Sequence, residues 1–171
     1  MTELWLDRWL RSVPIKVSID TRTLEAGDVF IPIKGPNFDG HDYIEDALTK
    51  GASQILDVDL IKYAKRYRQK LNCKVIAVTG SFGKTTVKDM LYYMLKDRFK
   101  VLRTEQNQNN EIGVPLTVLK ADYGTDILIV EMGMRNPGDM ALLTQIVRPT
   151  HVVVTGIGLT HMAQFKQPRD I

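Results

Sequence analysis

From Lys74 onwards the apolar positions repeat in a fixed order: a short unbroken apolar run, then apolar residues three and four apart. Unbroken runs of this length suit strands buried on both faces, and the longer spacing suits amphipathic helices. The runs predict strands at 75–79, 100–103, 126–131 and 151–155. The spacing predicts helices at 85–97, 112–119 and 137–147. The first carries Val87, Met90, Leu91, Met94 and Leu95 on its apolar side, and Pro137 opens the last in its first turn. Strand and helix in alternation predict an α/β domain with a mainly parallel sheet and crossover helices.

Before Lys74 the pattern is less regular. Leu6, Trp9 and Leu10 share a face in a helix predicted at 2–11, with Trp5 and Trp9 four apart, and Pro14 ends it. That face serves either packing or a partner. Strands are predicted at 15–19, 29–33 and 53–58, and Pro32 marks the second as an edge or a strand end. Residues 34–41 form a loop of turn formers, and 42–50 a helix closed by Gly51. Residues 59–72 predict a helix with Leu60, Ile61, Ala64, Tyr67 and Leu71 on one side. Its Lys62, Lys65, Arg66, Arg68 and Lys70 form a solvated outer face. The domain boundary falls here: a small α/β domain over 1–72, then a larger one over 73–171.

Composition narrows the class without naming a function. The chain has 171 residues, 44% hydrophobic and 25% charged, ordinary for a globular protein. A net charge of +3 gives no footprint for nucleic acid. One cysteine, Cys73, excludes an internal disulfide. With no apolar run long enough for a membrane span and no cleavage-type leader, the expected compartment is the cytoplasm, without a membrane partner.

The chemistry concentrates at the predicted carboxyl ends of the strands, where ligands bind in such sheets. The strand 75–79 runs into Gly80-Ser81-Phe82-Gly83-Lys84-Thr85-Thr86 and then a helix. This is the short form of a phosphate loop; the longer pattern asks for a glycine where Val78 stands. Two glycines leave backbone N–H groups free to face a phosphate, and the helix start adds more. Lys84 supplies positive charge, and the Thr85 hydroxyl is placed to meet a magnesium ion. Glu131, at the tip of an apolar strand, suits the acidic group that meets such a magnesium. Asn107, Asn109, Asn110 and Glu111 form an amide-rich turn suited to a polar substrate, or simply a turn. His161, after Gly156-Ile157-Gly158, is a metal or phosphate contact or a structural histidine. In the first domain, the 34–41 loop holds Lys, Asn, Asp and His around Phe38, a set that binds a polar ligand or is only solvated.

Taken together, these stretches resemble the Mur ligase family, over roughly residues 15–171. The first is Asp20-Thr21-Arg22-Thr23-Leu24-Glu25-Ala26-Gly27-Asp28-Val29-Phe30, with Lys34-Gly35 and Phe38-Asp39-Gly40-His41-Asp42. Thr79–Thr86 resembles the family's ATP loop. Asn109-Asn110-Glu111-Ile112-Gly113-Val114-Pro115-Leu116-Thr117 resembles a segment particular to the branch that adds D-alanyl-D-alanine to a UDP-N-acetylmuramoyl tripeptide. Glu131-Met132-Gly133, Pro137-Gly138-Asp139 and Gly158-Leu159-Thr160-His161 complete the series.

The resemblance implies an ATP-dependent amide ligase of peptidoglycan precursor synthesis, in which ATP phosphorylates a carboxylate and an amine attacks the acyl phosphate. It implies that Gly80, Ser81, Phe82, Gly83, Lys84, Thr85 and Thr86 hold ATP, and that Thr85, Glu131 and His161 bind Mg2+. Lys84, Glu131 and His161 would serve catalysis. Thr21, Arg22, Lys34, Gly35, Asn37, Phe38, Asp39, Gly40 and His41 would face the UDP-sugar, and Asn107, Asn109 and Asn110 the reacting end of the substrate. The sequence departs from the family at Phe82 (often Asn), Gln106 (commonly Gly) and Gly156 (usually Asn), and it is shorter between Gly51 and Lys74. The family's modified lysine, adenine contacts and third domain lie beyond the equivalent of Ile171. The expectation is therefore a chain that does not complete ligation alone: a truncated ligase polypeptide, or one working with a second chain that supplies the rest. The alternatives are a regulatory protein that binds ATP or a UDP-sugar, and a degenerate remnant.

Overall fold

The computed structural model describes residues 16–158. The helix expected at 2–11, and His161, lie outside them. The chain divides into two compact units between Tyr63 and Ala64.

The first unit holds a parallel sheet of three short strands, β1 (Val17–Ser18), β2 (Val29–Phe30) and β3 (Gln54–Ile55), in the order β1-β2-β3. Val29 pairs with both Val17 and Gln54. β2 is thus central, and of the two places expected for Pro32 the strand end is the one found. Pairing stops at Phe30, so proline's missing N–H removes no ladder bond. A 3₁₀ turn, Gly40–Tyr43, leads into α1 (Ile44–Thr49). The end of α1 is a Schellman motif. Gly51 has φ 89°, its N–H donates to the Leu48 carbonyl at 3.0 Å, and the Ala52 N–H donates to the Ala47 carbonyl at 2.9 Å.

α2 (Leu60–Lys70) crosses the division. From Ala64 on it belongs to the second unit, where the Tyr67 hydroxyl donates to the Ala121 carbonyl at 2.5 Å. Lys62 and Arg66 are exposed as expected, but Arg68 is buried. Its guanidinium donates to the carbonyls of Val147 (2.7 Å), Leu71 (3.0 Å) and Arg148 (3.1 Å). A charged face is read from charge alone. Here the guanidinium's fan of donors satisfies carbonyls left open where helices end.

The second unit carries β4 (Lys74–Thr79), α3 (Lys84–Leu95), β5 (Val101–Arg103), α4 (Gly113–Leu119), β6 (Ile127–Glu131), α5 (Asp139–Val147) and β7 (His151–Val154). The four strands are parallel, in the order β5-β6-β4-β7. The chain leaves β4 for β5, returns to β6 between them, then crosses β4 to β7. Right-handed crossovers in opposite directions put α3 on one face and α4 on the other. Val78, Ile127 and Ile129 form the core under α3, packed by Ile76, Val87, Leu91, Tyr92, Leu95, Val101 and Val153. The predicted apolar side of this helix is therefore rotated: Met90 and Met94 are 58% and 73% exposed, and Tyr92 takes part in the core instead. Pro137 falls before α5 rather than in its first turn; Gly138, with φ 94°, caps that helix.

Candidate nucleotide site and a separate polar loop

β4 delivers its chain to the loop Gly80–Gly83, and α3 begins at Lys84. Both glycines have left-handed backbone, φ 132° at Gly80 and 77° at Gly83, which side chains disfavour. A Cβ on Gly80 would also lie 2.3 Å from the Thr155 hydroxyl. The loop is braced by the turn after β7. The Thr155 hydroxyl donates to the Phe82 carbonyl at 2.5 Å, the Ser81 N–H to the Gly156 carbonyl at 2.8 Å, and the Gly158 N–H to the Ser81 hydroxyl at 2.9 Å. Phe82 stands 67% exposed at the loop tip. The Lys84 ammonium curls over the loop and donates to the Gly80 carbonyl at 2.7 Å. Thr85 and Thr86 follow in the first turn, at the positive end of the helix dipole.

Register places the acidic partner. β6 pairs with β4 so that Glu131 lies opposite Val78, two residues before Gly80. Alternation along β6 turns Glu131 to the same face as Ile127 and Ile129, under α3. Glu131 is 2% exposed, and each carboxylate oxygen accepts one hydrogen bond. Oε2 accepts from the Thr85 hydroxyl at 2.9 Å, and Oε1 from the Asn109 amide at 2.9 Å. The Glu131 N–H donates to the hydroxyl of buried Thr104 at 3.0 Å. Lys88, also buried, brings its ammonium within 3.8 Å of Oε2.

A cleft of about 400 Å³ opens beside this cluster. Gly80, Ser81 and Lys84 line it on one side, Asn107, Asn109, Asn110 and Glu111 on another, and Gly133–Asn136 with Asp139 on a third. Gly133 packs closely on Asn109: a Cβ there would sit 3.0 Å from the Asn109 side chain and press on it. Asn110 spends its oxygen on the start of α4, accepting from the Gly113 and Ile112 N–H groups at 2.9 and 3.2 Å. Asp139 holds the third wall by accepting from the N–H groups of Arg135 and Asn136 at 2.9 and 2.8 Å.

The structure thus brings together the phosphate loop, Glu131 and the three asparagines. Among the described residues no group of three or more His, Cys, Asp or Glu side chains is arranged to hold a metal ion by itself. The donors present, a hydroxyl and a carboxylate oxygen in mutual contact, suit a hard cation such as Mg2+ that keeps waters and phosphate oxygens as its other ligands. Three residues of the cluster, Lys88, Thr104 and Arg135, escape sequence reasoning. For Lys88 a signal exists: it lies four residues after Lys84 and three before Leu91, on the sheet side of the helix.

Seven of the nine candidate residues of the first unit lie in a second loop, residues 34–41, and Thr21 and Arg22 lie in a separate turn. Lys34 and Asp39 face each other in an isolated antiparallel bridge outside the sheet, and their side chains pair at 2.9 Å. The His41 Nδ1 lies 2.6 Å from Asp39 and Nε2 3.2 Å from Asp57. The hydrogen bond from Lys34 holds the Asp39 carboxyl well below its ordinary range, helped by His41. Asp39 and then Asp57 raise the pKa of His41. Gly40 is boxed in by backbone, since a Cβ there would meet the Ile33 carbonyl at 2.6 Å, whereas a Cβ on Gly35 would meet only the half-exposed Phe38 ring, at 2.3 Å. Asn37 lies in the same loop. Arg22 pairs with Asp20 at 2.6 Å, and its hydrogen bond lowers the Asp20 pKa to about 2. Thr21 is buried, and its carbonyl accepts from the Lys50 ammonium at 3.0 Å. No helix of the described residues is long and apolar enough to cross a membrane.

Comparison with known proteins identifies the family. A family model described as the Mur ligase middle domain matches residues 78–171, and one described as the Mur ligase family catalytic domain matches 16–80. The UDP-N-acetylmuramoyl-tripeptide–D-alanyl-D-alanine ligase of Bacillus subtilis is 42% identical over 166 residues, covering 85% of this chain and 36% of that ligase. Its Escherichia coli counterpart is 34% identical, covering 87% of this chain and 37% of that ligase. The crystal structure of MurF ligase from Thermotoga maritima, in complex with ADP, superposes with a TM-score of 0.76 at 34% identity, over 92% of this chain and 41% of that one. A MurF structure from Acinetobacter baumannii gives 0.78 at 27% identity, over 99% and 43%. The chain spans a little over a third of the length of the curated relatives it matches. With the middle-domain model matched over more than half of its residues, the chain belongs to the Mur ligase family.

Proposed function

We propose that this chain carries the ATP site and the UDP-sugar-binding side of a ligase of the D-alanyl-D-alanine-adding type. The observation that carries the reading is the contact between Thr85, in the first turn of α3 behind the phosphate loop, and the buried strand-end Glu131 of β6, 2.9 Å apart. Phosphoryl transfer is chiefly positioning and charge neutralisation, and these residues supply both. The N–H groups of the loop and of the α3 start hold the nucleotide phosphates, and Lys84 leaves the Gly80 carbonyl to meet their charge. Thr85 and Glu131, with His161 from outside the described residues, hold Mg2+, which neutralises phosphate charge when bound. Asn107, Asn109 and Asn110 face the cleft where a substrate carboxylate would await the γ-phosphate. In the first unit, Thr21, Arg22 and the 34–41 loop hold the UDP-N-acetylmuramoyl peptide.

The D-alanyl-D-alanine-adding relatives at 42% and 34% identity and the ADP complex of the Thermotoga ligase support this reading. Calorimetry with Mg-ATP tests it. Wild type is expected to bind, and Lys84→Ala to lose binding by at least a hundredfold; equal titrations of the two proteins refute a phosphate site. A ligation assay with UDP-N-acetylmuramoyl tripeptide and D-alanyl-D-alanine then tests the full activity. Adding a separate fragment equivalent to the remainder of the relatives tests a second-chain arrangement.

A further inference from the structure

Lys88 lies one helical turn beyond Lys84, on the side of α3 that packs against the sheet. It is 3% exposed, and its ammonium stands 3.8 Å from Glu131 Oε2 and 3.4 Å from Asp89 Oδ1. Asp89 is already claimed by Arg103, whose guanidinium approaches it to 2.7 Å. Glu131 therefore faces Lys88 as its nearest full positive charge among the described residues, and both are buried. Packing does not ask for a charge here. Val87, Leu91, Tyr92 and Leu95 surround the position on the helix, and an apolar side chain would continue their stripe. Burying an ammonium is costly and is offset only by a close partner. The partner is the same carboxylate oxygen that accepts from Thr85.

We propose that Lys88 is a positioning residue that makes divalent-cation binding depend on nucleotide. In the nucleotide-free site the Lys88 and Glu131 charges cancel, which leaves little attraction for a free dication at Oε2. Phosphate oxygens restore the negative charge, so the cation enters with the nucleotide rather than before it. The proposal rests on the reading of Thr85 and Glu131 as cation donors, and it assigns to Lys88 a role that acts through Glu131.

The test measures Mn2+ binding by the electron paramagnetic resonance of free Mn2+, with and without ADP, in the full chain. The proteins are wild type, Lys88→Met and the double variant Lys88→Met/Glu131→Gln. Removing one charge a few ångströms from a dication is expected to tighten nucleotide-free Mn2+ binding by about tenfold or more. It also shrinks the gain in Mn2+ affinity that ADP confers, and lowers the melting temperature of the cation-free protein. The double variant is expected to lose the tightened binding and to recover the melting temperature. A purely structural lysine would move the melting temperature and leave the ADP dependence alone. Unchanged Mn2+ affinity in Lys88→Met, with normal Mn-ADP binding by wild type, overturns the role of Lys88. Failure of wild type to bind Mn-ADP overturns the nucleotide site and this proposal together. If Lys88→Met does not fold, folding of the double variant supports charge balance, and its failure to fold shows a packing role and overturns the proposal.

Discussion

At the scale of single residues, the site depends on groups that hold other groups. Thr104 never reaches the cleft, yet its hydroxyl accepts the Glu131 N–H in a fully buried position. Thr104→Val keeps the shape and strands that donor. It is expected to destabilise the fold by about 1–3 kcal/mol in urea denaturation and to weaken Mg-nucleotide binding. An unchanged midpoint would show that the N–H finds another partner. In the first unit, His41 and Asp39 define a pH window. The raised pKa of His41 means its contribution to the loop is complete below the ordinary 6.5 and fades as pH climbs through the raised value. The depressed Asp39 pKa means its contribution is complete above the ordinary 3.8 and fades as pH falls through the lowered value. The loop is therefore held best between these two ordinary values. Titrating the His41 ring by NMR should give a midpoint above 6.5, moved downward by Asp57→Asn; a midpoint at or below 6.5 contradicts the contacts. The candidate residues of both loops were legible because their chemistry is tied to local sequence. Lys88 and Thr104 were not, because a lysine in a helix and a threonine after a strand look solvated until a sheet is placed beside them.

At the scale of elements, the strands and helices of the second unit follow their apolar spacing closely, while the facing of α3 and α2 does not. The apolar residues of α3 span more of its circumference than the sheet can cover, so periodicity leaves a choice of faces. The sheet covers Val87, Leu91, Tyr92 and Leu95 and leaves Met90 and Met94 outside. Arg68 on α2 shows the opposite failure. Its charge suggests solvent, but three carbonyls near helix ends draw it inside. Arg68→Met is expected to cost about 2–4 kcal/mol, because hydrogen bonds to charged groups are strong and the carbonyls of Val147 and Leu71 would lose their donor in a buried place. Thermal and urea unfolding measure this. A loss under 1 kcal/mol would mean that water replaces the guanidinium.

At the scale of the whole molecule, the strand order β5-β6-β4-β7 is what turns a motif into a site. Among the described residues, sequence alone indicated the class of the main elements, the candidate phosphate loop from its glycines, lysine and threonine, and the family from motifs in their order. Those features are local: a glycine's freedom, a helix's dipole and an apolar period act over a few residues. Which strand stands next to β4 is a different matter, since β5 follows it in the chain and β6 pairs with it in space. Only the folded sheet brings Glu131 to Thr85 across 46 residues and Asn109 to Glu131 across 22. Only the packing of α3 on that sheet buries Lys88 beside the same carboxylate. The physical reason is range: propensity and turn chemistry are settled by neighbours along the chain, whereas burial, charge pairing and the register between strands are settled by neighbours the chain meets after folding.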